Sequence, residues 1–593
     1  AFLAVKCNRF TPNQPYSVYK EIIVKCLSKF EHYDQDFRND LNCSIRASLG
    51  EYASGICRVI PELDSIFDVV QGNDFSENEK ESERLNWALL ALLEIICNKY
   101  RLFVFIDDLQ WVDFTSFQIF MNLRTLKVPF LFVSTYRVDN SDLKYGIHGM
   151  NFEQIADRVI PVKPFKKDEV HWYLDSLFGE LGGVEELSEV LHKQTNGNPF
   201  NVQEYTYFLV ENGYIEKKEN SWIFKRELRS KLPERYDTFS LILSKIESLE
   251  RTEKEILLTS SLFDGIIEKN ILISVIECTP EKLAESLKKL ELNGFLSATI
   301  NDEFNFVHDK VQETIYSSIE ITRRKALYEK FGTEYEKLIQ TNKEYCFNAA
   351  EAYLKSSNLN KAVRLSYQAG HYAFHKSALN LASRHFRNCM ILTEQMMRFD
   401  GMPDISVTDI ELSLANTLML SGKNEQALKL FFKLKEQKKG LSDIDLLELE
   451  YKIGCIQINI GEFLNAREHF YKVLYNIGLK IPANSFSLVV SFFHYIIIRI
   501  LSPFIKKKIS GSALQMEILK IKILNKLSYI LLSNDLLPGL ASHIKALILS
   551  ERILDCKEKA ETFSMHVILS TQLFLKKRAM RYLDKIAHIG KKI

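Results

Sequence analysis

The sequence predicts an α/β domain at the start of the chain and an all-helical region over much of the rest. Apolar runs typical of buried strands occur at Phe2–Val5, Leu102–Ile106 and Phe130–Thr135, and helical periodicity lies between them, as in Arg84–Asn98. Strands that alternate with helices indicate a parallel sheet covered by helices. After Ala326 the apolar residues follow helical spacing throughout. Only 23 Gly and 13 Pro also favour long helices over extended loops.

Two adjacent carboxylates, Asp107 and Asp108, come directly after the apolar run Leu102–Ile106. Open parallel sheets place their ligand sites at the carboxyl ends of the strands. A hard cation that bridges nucleotide phosphates takes oxygen ligands, which carboxylates supply. The segment therefore has the pattern of a Walker B strand in a P-loop NTPase. The matching phosphate loop, G-x-x-x-x-G-K-[ST], occurs nowhere in the 593 residues, and Ser421–Lys423 (SGK) lacks the earlier glycine.

Composition and charge are ordinary for a globular protein. Hydrophobic residues make up 46% and charged residues 26% of the chain, and the formal net charge is +1. This balance gives no indication of nucleic acid or an anionic membrane as a partner. The ten cysteines show no C-x-x-C spacing, which predicts reduced thiols in a cytoplasmic protein without a zinc site. The chain begins with Ala1 and ends within a helical pattern, so we expect a piece of a longer protein.

One long apolar segment, Phe486–Ile505, has the length of a membrane span. It contains His494 and Arg499, and a charge near the centre of a bilayer costs several kcal/mol. Pro503 also interrupts its end. We therefore interpret the segment as a buried helix and expect no membrane partner.

Shifts in pattern divide the chain into four predicted units. The α/β core covers 1–165 and includes a further short strand at Val159–Val162. A helical lid follows over 166–233, broken at Thr195–Pro199, where Gly-Asn-Pro ends one helix and opens the next. Residues 234–325 combine helices with a hairpin formed by Gly294–Ile300 and Glu303–Val307, which suggests a winged helix. Helical repeats fill 326–593.

The helical repeats show small residues in similar places before aromatic or aliphatic pairs, at Ala362, Ala382, Ala427 and Ala466. Their spacing is irregular. We interpret the region as degenerate tetratricopeptide-like (TPR-like) helix pairs, which stack into a superhelix with a binding surface. The alternative is an irregular helical domain.

Several motifs occur in a fixed order: IDDLQWVD (106–113), STYRVD (134–139), NGNPFNVQE (196–204) and FVHDKVQETIY (306–316). This set resembles the large ATPases of the STAND class of P-loop NTPases. In bacteria these are joined to serine/threonine kinase, sensor histidine kinase or nucleotide cyclase modules. The resemblance covers nearly the whole chain. It implies a P-loop NTPase core that lacks its first strand and Walker A loop, a helical lid, a winged helix and a TPR-like superhelix, with ATP or ADP and Mg²⁺ as cofactors.

The resemblance also implies roles for three residues at the ends of the strands. Asp107 would hold Mg²⁺ through water, and Asp108 would orient or activate the attacking water. The alternative for this pair is capping of the next helix. Arg137 would read the γ-phosphate, because a guanidinium fork suits phosphate oxygens. Its alternative is a surface salt bridge.

Three further residues receive roles only from the resemblance. Pro199 would pack on the adenine, with Gly197 allowing the close turn, and the alternative is a plain helix break. His308, followed by Asp309, would contact the β-phosphate of ADP and hold the closed state. The alternative is a satisfied histidine at the start of a helix, where Asp309 favours the helix dipole.

These expectations combine into a regulatory ATPase, or nucleotide-dependent switch, in signal transduction. ADP would hold the protein in a closed form, and a signal sensed by the repeats would allow exchange for ATP and opening. The repeats would bind protein partners and relay the signal to an attached kinase or cyclase module, and the open form would oligomerise. The present chain alone would lack ATP turnover. One alternative is a scaffold that does not hydrolyse nucleotide, and another is a transcriptional activator. The mixed charges of the predicted recognition helix, Pro280–Glu291, weaken the DNA-binding interpretation.

Overall fold

The computed structural model describes most of the chain, with gaps at its ends and at several internal segments. The described residues are 2–7, 14–67, 81–125, 128, 130–137, 156–179, 181–218, 221–225, 238–263, 265–298, 303–398, 404–437, 440–479, 489, 490, 493, 494, 497 and 512–590.

The first sheet consists of three parallel strands: β1 Phe2–Lys6, β2 Leu102–Asp107 and β3 Phe130–Ser134. They lie in the order β1-β2-β3, with Phe2 opposite Phe103 and Leu102 opposite Phe130. The strands predicted at these positions are therefore confirmed. Because all three run the same way, their carboxyl ends meet at one edge of the sheet.

Helices cover one face of this sheet. They are α1 Ser17–Phe30, α2 Gln35–Leu49, α3 Ala53–Val59, α4 Asp64–Phe67, α5 Glu81–Lys99 and α6 Phe114–Met121. The side chains that alternate toward them, such as Val5, Val104 and Ile106, belong to one buried core. On the other face, Leu131 and Val133 of β3 are exposed. Within the described part of the chain, no strand pairs with the outer edge of β3.

The short strand predicted at Val159–Val162 is wrong. These residues form no strand, and the side chains of Ile160 and Val162 are 70% and 93% exposed. An apolar run becomes a strand only where a neighbouring strand supplies hydrogen bonds, and none lies beside this run among the described residues.

The next unit contains helices α7 Lys167–Phe178, α8 Val184–Thr195 and α9 Pro199–Glu211. The helix break predicted at Thr195–Pro199 lies between the last two. A second sheet, which the sequence analysis missed, accompanies them. Its strands are β4 Leu181–Gly182, β5 Ile215–Lys218 and β6 Ser221–Phe224, in the order β4-β6-β5. Strands of two to four residues are too short to show alternation in sequence.

The third unit contains α10 Thr238–Glu247, α11 Arg251–Ser260, α12 Lys269–Ile276 and α13 Pro280–Leu292, then the antiparallel hairpin β7 Leu296–Ala298 and β8 Phe304–Phe306, then α14 Asp309–Ser318. The predicted hairpin is confirmed, while its turn at Asn301 and Asp302 lies outside the described residues. The winged-helix interpretation of this unit and the bounds of the four predicted units remain predictions.

The remainder is helical: α15 Ile321–Leu338, α16 Tyr345–Lys355, α17 Leu359–His375, α18 Leu379–Arg398, α19 Val407–Leu420, α20 Asn424–Gln437, α21 Asp443–Asn459, α22 Phe463–Asn476, α23 Ser512–Asn534, α24 Leu536–Ser550, α25 Lys557–Gln572 and α26 Lys576–Gly590. Consecutive helices pack against each other as TPR-like pairs. One core of buried side chains runs from Ile242 in α10 to Ile456 in α21, so the third unit and the first repeats share a hydrophobic interior.

A regular contact joins the two helices of a pair. Phe386 and Phe470, on the second helices, lie against Gly370 and Gly454 on the first, where an added Cβ would come within 2.7 and 2.6 Å of the rings. A buried alanine precedes each of Phe386, Phe431 and Phe470 by four residues, at Ala382, Ala427 and Ala466. Ala362 was predicted to share this place, but it lies on the first helix of its pair.

The long apolar segment Phe486–Ile505 falls mostly outside the described residues. Among those described, no helix is long and apolar enough to cross a membrane. The ten cysteines are free thiols.

Candidate functional site

The carboxylates of Asp107 and Asp108 lie at the carboxyl end of β2, between the ends of β1 and β3. The hydroxyl of Thr135, just after β3, connects the two residues. Its Oγ1 donates to Asp107 Oδ1 at 2.5 Å and accepts from the backbone N–H of Asp108 at 3.0 Å. The pair therefore occupies the edge that the sequence predicted.

Asp108 has a left-handed backbone, with φ 57° and ψ 47°, and its side chain is buried. This conformation is uncommon outside glycine, although Asp tolerates it better than most residues. The backbone N–H of Leu109 donates to the carbonyl of Thr135 at 2.8 Å, and Gln110 Nε2 donates to Asp108 Oδ1 at 2.8 Å. These bonds hold the turn that presents the carboxylate.

Asp108 occupies the N-cap position of a short 3₁₀ turn, Leu109–Trp111, but its side chain makes no capping hydrogen bond there, and a different residue caps the next α-helix. Asp113 is the N-cap of α6, and its Oδ1 accepts from the backbone N–H of Ser116 at 2.8 Å.

Arg137 joins the sheet edge to the third unit, which contains α10 to α14. Its Nε lies 3.4 Å from Asp108 Oδ1, and its Nη2 donates to Oδ2 of Asp309, the first residue of α14. The backbone N–H of Arg137 donates to Gln110 Oε1 at 3.1 Å. Burial alone would lower the pKa of Arg137, but the charges of Asp309 and Asp108 raise it. Arg137 therefore forms salt bridges, which is the alternative role given for it in the sequence analysis. Both of its partners, Asp108 and Asp309, belong to the motifs quoted there.

Lys6, the last residue of β1, completes the charge cluster and was missed in the sequence analysis. Its Nζ lies 3.8 Å from Asp108 Oδ2 and 3.8 Å from Asp309 Oδ1. A lysine at the end of a strand carries no recognisable sequence signal. The parallel pairing of β1 with β2, which brings Lys6 beside Asp107, could have identified it.

The donor set at this edge fits Mg²⁺. Asp107, Asp108 and Thr135 offer carboxylate and hydroxyl oxygens, which are the ligands that Mg²⁺ prefers. With Asp309 the cluster has three carboxylates against the two cations Lys6 and Arg137, so one negative charge is left in excess. In the described chain no group of three metal-binding side chains forms a cage. A cation here would therefore also need oxygens from water or from nucleotide phosphates.

Gly197 and Pro199 lie at the turn before α9. Gly197 has φ +69°, and an added Cβ would lie 2.0 Å from the carbonyl oxygen of Phe165. The backbone N–H of Phe165 donates to the carbonyl of Gly197 at 2.8 Å. Pro199 is the first residue of α9, a favoured position because no helical N–H is lost there. The close turn at Gly197 is therefore structural, and its role toward a nucleotide stays a prediction.

His308 contacts the start of α9. Its ring lies 4.6 Å from that of Phe200, which follows Pro199. The next residue, Asp309, contacts Arg137. One side chain of the His-Asp pair therefore contacts α9, and the other contacts the charge cluster. The catalytic and binding roles of Asp107, Asp108, Arg137, Gly197, Pro199 and His308 remain predictions.

Asp113 is a structural anchor that the sequence analysis quoted within a motif without assigning a role. It is buried, and besides capping α6 it accepts from the backbone N–H groups of Tyr16 at 2.9 Å and Val18 at 3.3 Å. Burial raises the pKa of Asp113, and its hydrogen bonds offset this only in part. Asp113 therefore fixes the start of α1 against the turn that presents Asp108.

No family model matches the chain. An uncharacterized protein of Rhizobium meliloti (strain 1021) is 23% identical over 378 residues, which are 60% of this chain and 35% of that protein. The chain thus spans about a third of the length of this curated relative.

Two solved structures are similar to the chain. One is a STAND protein with a tetratricopeptide repeat sensor from Pyrococcus horikoshii, with 15% identity and a TM-score of 0.38, covering 99% of this chain and 80% of that one. The other is a Rap protein complexed with Competence and Sporulation Factor, with 11% identity and a TM-score of 0.22, covering 62% of this chain and 99% of that one. At these low TM-scores neither likeness supports a functional conclusion. As the motifs predict, the chain is similar over nearly its whole length to a solved STAND protein with a TPR sensor.

Proposed function

We propose that this chain is the switching part of a regulatory ATPase in signal transduction. The observation that carries the proposal is the double engagement of Arg137. This residue pairs at once with Asp108 at the sheet edge and with Asp309 at the start of α14. A single guanidinium thus links the candidate nucleotide site to a unit whose hydrophobic core continues into the helical repeats.

In this proposal each site residue has one role. Asp107 would hold Mg²⁺, and Asp108 would orient the attacking water, since phosphoryl transfer depends on positioning and electrostatics. Gly197 and Pro199 would shape the adenine contact, and His308 would contact a phosphate of the bound nucleotide. The proposal requires a phosphate loop from a segment outside these 593 residues, since the motif does not occur within them.

The switch itself is a competition for Arg137. A γ-phosphate and the carboxylate of Asp309 are both anions that suit a guanidinium fork. With ADP bound, Arg137 would keep its contact with Asp309, and the winged-helix unit would stay against the sheet edge. With ATP bound, Arg137 would pair with the γ-phosphate and release Asp309, which would favour an open form. ATP shifts the population only to the extent that it binds the open form more tightly.

The test uses a longer version of the protein that includes a phosphate loop. We expect Asp108→Asn to lower ATP turnover by roughly 100-fold or more while nucleotide binding is kept. Asp36→Asn, an exposed residue in α2, is the matched control and should leave turnover unchanged. If the longer protein binds no nucleotide, the proposal is wrong.

A scaffold that does not hydrolyse nucleotide is the second candidate, favoured by the missing phosphate-loop motif. It would use the helix pairs alone to bind protein partners. The two candidates differ in one measurement, because only the switch predicts that ATP and ADP change the protease sensitivity of the segment between α9 and α14. A transcriptional activator would instead require specific DNA binding.

We further propose that the repeats bind protein partners and relay their binding to an attached kinase or cyclase module, with oligomerisation of the open form. The continuous core from Ile242 to Ile456 supports such a relay, because packed interiors transmit displacement. Sedimentation of the longer protein with ATP and with ADP tests the last step. A larger species is expected only with ATP.

A further inference from the structure

The turn between α25 and α26 exposes three consecutive apolar side chains. Phe574 is 94% exposed, and Leu573 and Leu575 on either side are exposed as well. Phe574 also has a left-handed backbone, with φ +58°. For a bulky residue this conformation is a true outlier. Both the exposure and the backbone are therefore unfavourable for an ordinary solvent-facing turn.

Corresponding turns in other helix pairs are built differently. In each, a left-handed residue lies five positions before a buried alanine of the second helix, as Phe574 lies before Ala579. The residues in the place of Phe574 are small: Ser377, Gly422 and Gly461. Small residues adopt the left-handed conformation at lower cost, and glycine does so freely. Phe574 thus departs from the repeat's own pattern.

Basic residues surround this apolar tip. Lys576, Lys577 and Arg578 form the first turn of α26, Arg581 follows one turn later, and all four are exposed. The first turn contains no acidic residue. Cations at a helix N-terminus are disfavoured by the helix dipole. The same short segment therefore combines a strained backbone at Phe574 with unfavourable charges at a helix N-terminus. Such local departures are expected where a sequence serves a function other than stability.

We propose that this turn docks the protein on an anionic lipid bilayer. Phe574, Leu573 and Leu575 would insert at the boundary between headgroups and acyl chains. The basic residues at the start of α26 would then contact the lipid phosphates. On a bilayer both features would be favourable, because the exposed apolar side chains would leave water and the basic residues would pair with anionic headgroups.

Charge complementarity favours a lipid surface over a protein partner. Attraction to an anionic leaflet acts within about 10 Å, so the local cluster matters and the chain's net charge of +1 does not. An anionic bilayer surface has charged headgroups above apolar acyl chains, which match the basic residues and the exposed apolar residues of this turn. This docking is independent of the proposed switch and concerns a peripheral contact, since no described helix could span a membrane.

The test measures sedimentation of the 593-residue chain with vesicles. We expect binding to vesicles of phosphatidylcholine with phosphatidylglycerol, weakening as salt rises, and little binding to phosphatidylcholine alone. Phe574→Gly should reduce the affinity about tenfold, because most of the inserted apolar area is lost. The same substitution should raise thermal stability, since glycine adopts the left-handed backbone freely. A loss of binding could then not be attributed to unfolding.

Two further variants complete the test. The double variant Lys576→Glu with Lys577→Glu should reduce affinity by about tenfold or more. Leu464→Ser removes an exposed apolar side chain near the start of α22 and should leave binding unchanged. Absence of binding to anionic vesicles, or equal binding by wild type and Phe574→Gly, would overturn the proposal. A change of oligomeric state in Phe574→Gly without vesicle binding would assign the turn to a second copy of the chain and equally reject the lipid.

Discussion

The guanidinium of Arg137 donates a hydrogen bond to the carboxylate of Asp309, a residue 172 positions further along the chain. Arg137 follows the third strand of the parallel sheet, and Asp309 begins α14, the helix after the hairpin of β7 and β8. Lys6, at the end of the first strand, lies 3.8 Å from the same carboxylate. Two cations at the sheet edge therefore contact one carboxylate of a unit that is distant in sequence.

We expect a measurable but small coupling between Arg137 and Asp309. Their side chains are 46% and 34% exposed, so water screens the pair, and a double-mutant cycle should give at most about 1 kcal/mol. The cycle uses Arg137→Met, Asp309→Asn and the double variant in urea unfolding. Lys99 and Asp40, an exposed pair within the first unit, serve as the control cycle. A coupling of zero for Arg137 and Asp309 would contradict the contact.

The first three strands could be predicted from the sequence, whereas the contacts of Arg137 could not. A buried strand such as Leu102–Asp107 is encoded by its own apolar residues, and the same holds for the helix Glu81–Lys99. The contacts of Lys6 and Asp309 depend on strand order and on the packing of units far apart in sequence. Val159–Val162 failed as a strand for the same reason, because pairing requires a neighbour that no local pattern encodes.

Gly197→Ala should destabilise the protein far more than Gly422→Ala. These glycines have φ +69° and +72°, so both substitutions incur the left-handed cost of about 1–2 kcal/mol. At Gly197 the new Cβ would also lie 2.0 Å from the carbonyl oxygen of Phe165, which adds an overpacking cost of about 1–3 kcal/mol. At Gly422 nothing lies within 4 Å. Equal shifts in the urea midpoint would show that the loop at Gly197 relaxes freely.

Replacing Asp113 tests its two acceptor oxygens. Asp113→Ala removes the acceptor for the buried N–H groups of Tyr16 and Ser116 and should cost about 3 kcal/mol. Asp113→Asn keeps one oxygen for these two groups, but its NH2 group would face the N–H of Val18, so that hydrogen bond is lost while a buried charge is removed. It should cost less than the Ala variant, about 1–2 kcal/mol. Thermal unfolding followed by circular dichroism measures both. If the Asn variant is as unstable as the Ala variant, the second carboxylate oxygen and its bond to Val18 hold the start of α1.

The role of Asp113 could not be predicted from the motif that contains it. The DDLQWVD segment placed Asp107 and Asp108 correctly at the strand end, because an apolar run followed by carboxylates is a local signal. Asp113 belongs to the same segment, yet its partners Tyr16 and Val18 lie almost 100 positions earlier. Only the packing of α1 beside α6 shows that it braces the site.

His385 should make the helical repeats sensitive to acid. It is buried in α18 against Phe347, and neither ring nitrogen has a hydrogen-bond partner in the described structure. Burial, together with the charge of Arg384, lowers the pKa of His385 from 6.5 to about 3. Between these values the unfolded chain binds a proton that the folded chain does not. The free energy of unfolding should therefore fall as pH falls below 6.5, by about 1.4 kcal/mol for each pH unit.

His385→Met should remove this dependence, because a neutral side chain of similar size takes the same buried place without binding a proton. Urea unfolding of the variant and of wild type at neutral pH and at about pH 5 measures the difference. The two proteins should differ more in the acid sample than at neutral pH, with the variant losing less stability. His32→Met, at an exposed position, is the control and should follow wild type at both values. If His385→Met loses as much stability in acid as wild type, the buried imidazole is not the acid-sensitive group, and other titrating groups of the repeats would have to supply the effect.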